Sequence, residues 1–193
     1  MVILPEKSDS ELFYRGIVID GQQRLTTVAI LLCALRNCYQ QKANENLFPD
    51  LKRDYSQKAK KIFDFYLVNT HETPDSDSYL KLRPTDTKND FQMYREWVIN
   101  LETTDKKHRI GKCYRYFKDK LNQVGDDGEV FDLDIIYKVI TQVLRVAAIE
   151  LSEEDDPYAI FESLNADGMP LTVADLSRNF VLMKFKGASQ QRE

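Results

Sequence analysis

Ile17–Leu35 reads IVIDGQQRLTTVAILLCAL. A β-branched run ends in Asp20-Gly21, Gln22, Gln23 and Arg24 follow, and a long apolar run begins. β-branched residues suit a strand, a run apolar on most sides suits a buried helix, and glycine permits a tight turn between them. The stretch predicts a strand that hands over directly to a central helix, from Gln22 to about Tyr39. Asp20 is a good N-cap, and Gln23 three residues later completes a capping box. Capping is worth about 1 kcal/mol and accounts for both residues.

Capping does not account for Gln22 or Arg24. A cation in the first helical turn meets the positive end of the helix dipole, at a cost of roughly 0.3–1 kcal/mol when exposed. A bound anion reverses that sign. Free N–H groups at a helix start point where a phosphate can sit, and Arg24 adds a forked donor. Gln22 and Gln23 can donate to phosphate or ribose oxygens, or position a water. The GxxxxGK[ST] and GxGxxG cradles are both absent from the chain.

Working outward, Val2–Leu4 and Ile17–Ile19 read as two paired strands joined by a polar loop. Asp54–Val68 carries Tyr55, Ala59, Ile62, Phe63 and Tyr66 at helical spacing. Asn69–Ser78 is a loop, and YLKLRP (Tyr79–Pro84) alternates like a short strand that stops at proline. Thr87-Lys88-Asn89-Asp90 reads as a capping box for a helix with Phe91, Tyr94, Trp97, Val98 and Leu101 on one side. Further helices are expected over Lys107–Gln123, Asp132–Leu144 and Asp155–Leu164, and from a capping box at Thr172–Asp175 to about Phe185. Arg145–Leu151 suits a strand, and Lys186–Glu193 is a polar tail.

The 193 residues can bury a core without disulfides or metal. The net charge of −4 sets up no general attraction for nucleic acid or anionic membrane, so any anion site must be local. Three cysteines form no CxxC pair, and Cys33 and Cys38 sit in an apolar helical pattern, as buried thiols do in a reducing cytoplasm. His71 and His108 each lie in a polar segment without a metal-spaced companion, which argues against a histidine-based nuclease or a Ser-His-Asp hydrolase. No apolar run approaches a membrane span and no signal peptide opens the chain, so the expected location is cytoplasmic.

The string IVIDGQQRLTT resembles a bacterial domain family found as the N-terminal part of GmrSD-type type IV restriction enzymes and related phage-defence proteins. YLKLRPTDTKNDF is similar to that family's middle segment, and YAIFESLNADGMPLTVADLSRNFVLM to its third signature, in the same order along Ile17–Met183. The resemblance implies a ParB/sulfiredoxin-like core in which a strand, a glycine turn and an arginine-bearing helix form a nucleotide-phosphate pocket. It places Asp20, Gly21, Gln22, Gln23 and Arg24 on the family's DGQQR box. It further implies hydrolysis of a nucleoside triphosphate (GTP, UTP or CTP) with Mg²⁺ in the full-length protein, and an HNH-type nuclease domain or subunit that meets DNA. The family's early Gln-Arg-x-aromatic segment has no match here, and the nuclease histidines are missing. The expectation is the middle of a longer family member, or a trimmed or degenerate copy, which argues against activity of this chain alone.

Three other places carry polar or charged clusters. Glu162, Asn165 and Asp175 can converge on the pocket to hold Mg²⁺ or ribose, with Arg178 and Asn179 beside them, while capping by Thr172 and Asp175 explains much of the same pattern. Arg109, Lys112 and Arg115 lie in a basic stretch interleaved with aromatics, as on a nucleic-acid surface. The spacing of Ile110, Cys113, Tyr114, Phe117 and Leu121 equally makes those cations the wet side of a core helix. Glu153–Asp156 suits a helix start without any metal.

The expected architecture is α+β: a partial ParB-like core over residues 1–45, a mainly helical body over 46–185 and a tail over 186–193. The expected function is a nucleotide-binding, NTP-hydrolysing or regulatory module of a phage-defence restriction system. Arg24 grips phosphates, Gln22 or Gln23 orients water or sugar, Asp20 caps the helix and contacts Mg²⁺, and Asn165 lines the pocket. The alternative is a non-catalytic DNA-binding or partner-docking module of the same kind of system.

Overall fold

The computed structural model describes residues 1–6, 15–84, 89–100, 107–123, 131–152, 154–157, 159, 160 and 163. Its elements run β1 (Val2–Pro5), β2 (Gly16–Asp20), α1 (Gln22–Glu45), α2 (Pro49–Ile62), α3 (Asp90–Asn100), α4 (Arg109–Leu121), α5 (Leu133–Lys138) and β3 (Ile149–Glu150). The class is α+β, a small sheet with a helical body, as expected. By their contacts the residues form two compact units, one of Met1–Gln22 with the chain from Val146 on, the other of Gln23–Arg145. Residue 45 is the end of α1, whereas the units divide at Gln22/Gln23 and Arg145/Val146.

In the first unit β1 is central, in the order β2-β1-β3. β1 and β2 are antiparallel, with Val2 facing Asp20 and Ile3 facing Val18, so Ile19 is bulged out of register. β3 runs parallel to β1, through Ile149 N–H to Met1 O at 3.0 Å and Leu151 N–H to Ile3 O at 2.9 Å. The Arg145–Leu151 expectation is thus met by its last residues. Val2, covered on both sides of the central strand, is fully buried.

The second unit is built around α1. Leu32, Cys33, Ala34, Leu35 and Arg36 are five successive buried residues, which a helix shows only when neighbours surround it. The helix continues six residues past Tyr39, through good helix formers, to Glu45. α2 begins with proline in its first turn and runs into a wider π-type turn over Phe63–Leu67. Tyr55, Ala59, Ile62 and Phe63 join the core as their spacing predicts, while Tyr66 stays partly exposed. α5 also widens, over Val139–Val143. The expected strand at Tyr79–Pro84 does not form. Only a single antiparallel bridge remains, Leu80 with Val68, flanked by Asn69 N–H to Tyr79 O at 2.7 Å and Lys81 N–H to Leu67 O at 3.0 Å.

α1 meets the end of α3 through a buried cation. Arg36 is 4% exposed; its Nη2 donates to Trp97 O at 3.0 Å, its Nη1 to Val98 O, and its Nε to Asn37 Oδ1 at 2.9 Å. Trp97 and Val98 lie in the last described turn of α3. Burial pulls its pKa down, against nearby Cys33, Tyr114, Tyr94 and Tyr79. Trp97 stacks on Tyr114, with ring centroids 3.7 Å apart.

Lys58 on α2 stands between Asp54 at 2.8 Å and Asp134 of α5 at 2.7 Å, and Tyr39 of α1 donates to Asp134 Oδ1 at 2.5 Å. Burial opposes charge on Lys58, but Asp134 and Asp54 outweigh it and raise its pKa above the usual 10.5. Burial also opposes charge on Asp134, but Lys58 and Tyr39 outweigh it and lower its pKa below 3.8. A lowered carboxylate stabilises above its unfolded pKa and loses this as pH falls through the folded value. A raised amine stabilises below its unfolded pKa and loses this as pH rises through the folded value. The clasp is therefore complete between 3.8 and 10.5. Asp134 is 55% exposed, so Lys58→Met should cost only about 1 kcal/mol or less near neutrality. In thermal melts, the gap between variant and wild type should close in strong acid and in strong base. A gap constant with pH would contradict this assignment.

Candidate nucleotide site

β2 ends at Asp20, Gly21 turns the chain, and α1 begins at Gln22. Gly21 has φ +93°, a conformation that side chains with a Cβ resist. The Met1 side chain packs against it, so a Cβ added there would meet Met1 Cβ and Cγ at 3.4 Å. Asp20 lies 4.0 Å from the Met1 ammonium, which also donates to Ala147 O at 3.0 Å. The division between the two units falls inside the box. Asp20, Gly21 and Gln22 belong with the sheet, Gln23 and Arg24 with the helices.

The glutamines differ. Gln22 Nε2 donates to Val18 O at 2.6 Å, which ties its carboxamide to β2 and leaves Oε1 as an acceptor. Gln23 is exposed, and its main-chain carbonyl accepts from Thr27 Oγ1 at 2.7 Å. Arg24, third residue of α1, is also exposed. Of the box, then, the glycine turn and the helix start stand as the sequence implies, but Gly21 and not Asp20 directly precedes the first helical residue, since Asp20 ends β2. The side-chain competition between Gln22 and Gln23 was not legible, because it depends on the carbonyl of Val18.

Glu162, Asn165, Asp175, Arg178 and Asn179 lie outside the described residues, as do Thr87 and Lys88 of the expected capping box. Asp155, exposed, accepts from Ser152 N–H and Oγ–H, and the Ser152 backbone bond holds its pKa below the usual range. Among the described residues no three His, Cys, Asp or Glu side chains cluster in a way that could hold a metal.

On α4 the core positions behave as spaced: Ile110, Tyr114 and Leu121 are buried, and Cys113 and Phe117 partly so. Lys112 and Arg115 are on the exposed side. Arg109 is also exposed, but its guanidinium forks onto buried Asp90, with Nε to Oδ1 at 2.7 Å and Nη2 to Oδ2. His108 joins them. Its Nε2 is 3.3 Å from Asp90 Oδ1, and its Nδ1 accepts from Ile110 N–H at 3.3 Å. A neutral imidazole with its proton on Nε2 makes both bonds, so both ring nitrogens are used in capping α4 and anchoring α3. The carboxylate partner of His108, and the pairing of Asp90, were missed in the sequence because 18 positions separate the residues.

Cys33 and Cys38 are buried free thiols, as expected, and burial pushes the Cys33 thiol up to about 12. An apolar recess of about 180 Å³ lies among Leu31, Phe117, Lys120, Leu121, Phe131 and Ile136, and no residue of the box lines it. No helix among the described residues is long and apolar enough to cross a membrane.

The fold and box define an α+β module whose strand–glycine–helix turn carries an exposed arginine on the first turn. Residues 1–182 match the family described as the GmrSD restriction endonuclease, N-terminal domain, and the chain belongs to that family. It is a module of a restriction system in that sense. No curated protein matches the chain, and no solved structure does.

Proposed function

We propose that this module binds a nucleoside triphosphate at the start of α1 and regulates, or hydrolyses nucleotide for, a restriction enzyme whose DNA-cutting part is a nuclease domain or subunit of HNH type. The observation that carries the reading is the exposed Arg24 on the first turn of a helix that opens straight from a strand through a left-handed glycine. The free N–H groups at the helix start and a forked cation beside them suit an anion such as phosphate. Membership of a restriction-endonuclease family supports the setting. The helix-start amides and Arg24 hold phosphate oxygens, and Gln23 orients a water or the sugar. Gln22, tied to Val18 through one N–H, offers its Oε1 and its second N–H to a ribose hydroxyl or a base. Mg²⁺ is held mainly by the phosphates, as that ion usually is, with Asp20 as the box's carboxylate.

The test is calorimetric titration of the chain with GTP, UTP, CTP and ATP, with and without Mg²⁺, followed by phosphate release. Saturable binding of at least one triphosphate, strengthened by Mg²⁺, is expected. Heat traces indistinguishable from dilution for all four would reject the reading.

A further inference from the structure

We propose that two copies of this chain pair through α5 and its π-turn, antiparallel, about a two-fold axis at Val139. Phe131, Ile135, Val139, Val143 and Leu144 are 52%, 60%, 47%, 60% and 51% exposed. Ile135, Val139 and Val143 recur every fourth residue, so they share one side of the helical segment Leu133–Val143. A contiguous apolar patch of this kind marks a contact surface rather than an ordinary wet face.

The charges around the stripe select the occupant. Asp132 stands exposed at the N-terminal end, where its Oδ1 caps Asp134 N–H at 2.8 Å, and Arg145 stands exposed just past the C-terminal end. An antiparallel second copy sets Ile135 against Val143, Val139 against Val139, and Asp132 beside Arg145, twice over. The face is thus complementary to itself, as a two-fold contact requires, and the opposed helix dipoles add to the match. A parallel copy would set acid on acid and base on base. The same register brings Leu144 of the second copy towards the end of α5 where the apolar recess lies beside Phe131 and Ile136. The stripe is short, so the interface belongs at the small end of the size range, with a Kd on the order of micromolar to tens of micromolar.

Sedimentation equilibrium of the chain from about 1 µM to about 1 mM should show a monomer–dimer equilibrium. Val139→Glu places two carboxylates on the axis and should weaken pairing by about 30-fold or more. Val139 is already half exposed, so the variant's melting temperature under dilute conditions should not change. Val139→Cys should form a disulfide dimer under mild oxidation, whereas Ile135→Cys should not, because only a residue on the axis faces itself. A wild type that stays monomeric throughout the range, a dimer that survives Val139→Glu, or cross-linking at Ile135 in place of Val139 would each overturn the proposal.

Discussion

Arg36→Met is expected to destabilise the chain by about 3–5 kcal/mol. Methionine keeps the length and the methylene packing of the side chain, so little cavity forms. What is lost is the fork: Trp97 O and Val98 O lose their bonds from a charged donor, and Asn37 Oδ1 loses the Nε–H. Hydrogen bonds to a charged group are worth about 1.5–3 kcal/mol. The Phe63 ring, 5.3 Å from Cζ, also loses its cation. Arg36→Lys should recover only part of the loss, since a single ammonium cannot reproduce the planar fork that reaches two carbonyls and Asn37. Urea unfolding should show a lower midpoint at an unchanged m-value. A methionine variant within about 1 kcal/mol of wild type would contradict this role for Arg36.

Arg24→Ala is expected to weaken triphosphate binding by about 100-fold, or roughly 2.7 kcal/mol, while leaving stability almost untouched. The side chain is exposed, so its removal leaves no core cavity. Affinity should therefore fall far more than stability does, which a residue with a purely structural role would not show. Arg24→Lys should retain intermediate affinity, keeping the charge but not the fork. Equal affinity in wild type and alanine variant would remove Arg24 from the site.

These expectations differ in how far the sequence alone could have led to them. The strand–glycine–helix handover was legible at Ile17–Leu35 because three independent signals agree there: β-branching, a turn glycine and an apolar run. The core side of α4 was legible from spacing alone. YLKLRP shows the limit of period-two alternation, which describes a face but cannot supply a neighbouring strand. Arg36 was visible as the one charge inside LLCALRNCY, and such a residue signals a buried partner. Its partners are main-chain carbonyls 61 and 62 positions away, and no side-chain pattern records them. The same holds for Asp90 with His108 and Arg109, where the basic stretch suggested a surface and the fold used one of its cations as an anchor. In the box, the turn could be read directly, but the tie from Gln22 to Val18 could not.

The central claim is that the first turn of α1 receives phosphate. Its most direct test follows the backbone amides of Gly21, Gln22, Gln23 and Arg24 by heteronuclear NMR as Mg²⁺–GTP is added. The account predicts that these four signals move first and saturate together, with Arg24→Ala abolishing the movement. Saturating shifts centred on α4, around Lys112 and Arg115, with the four amides unmoved, would contradict it.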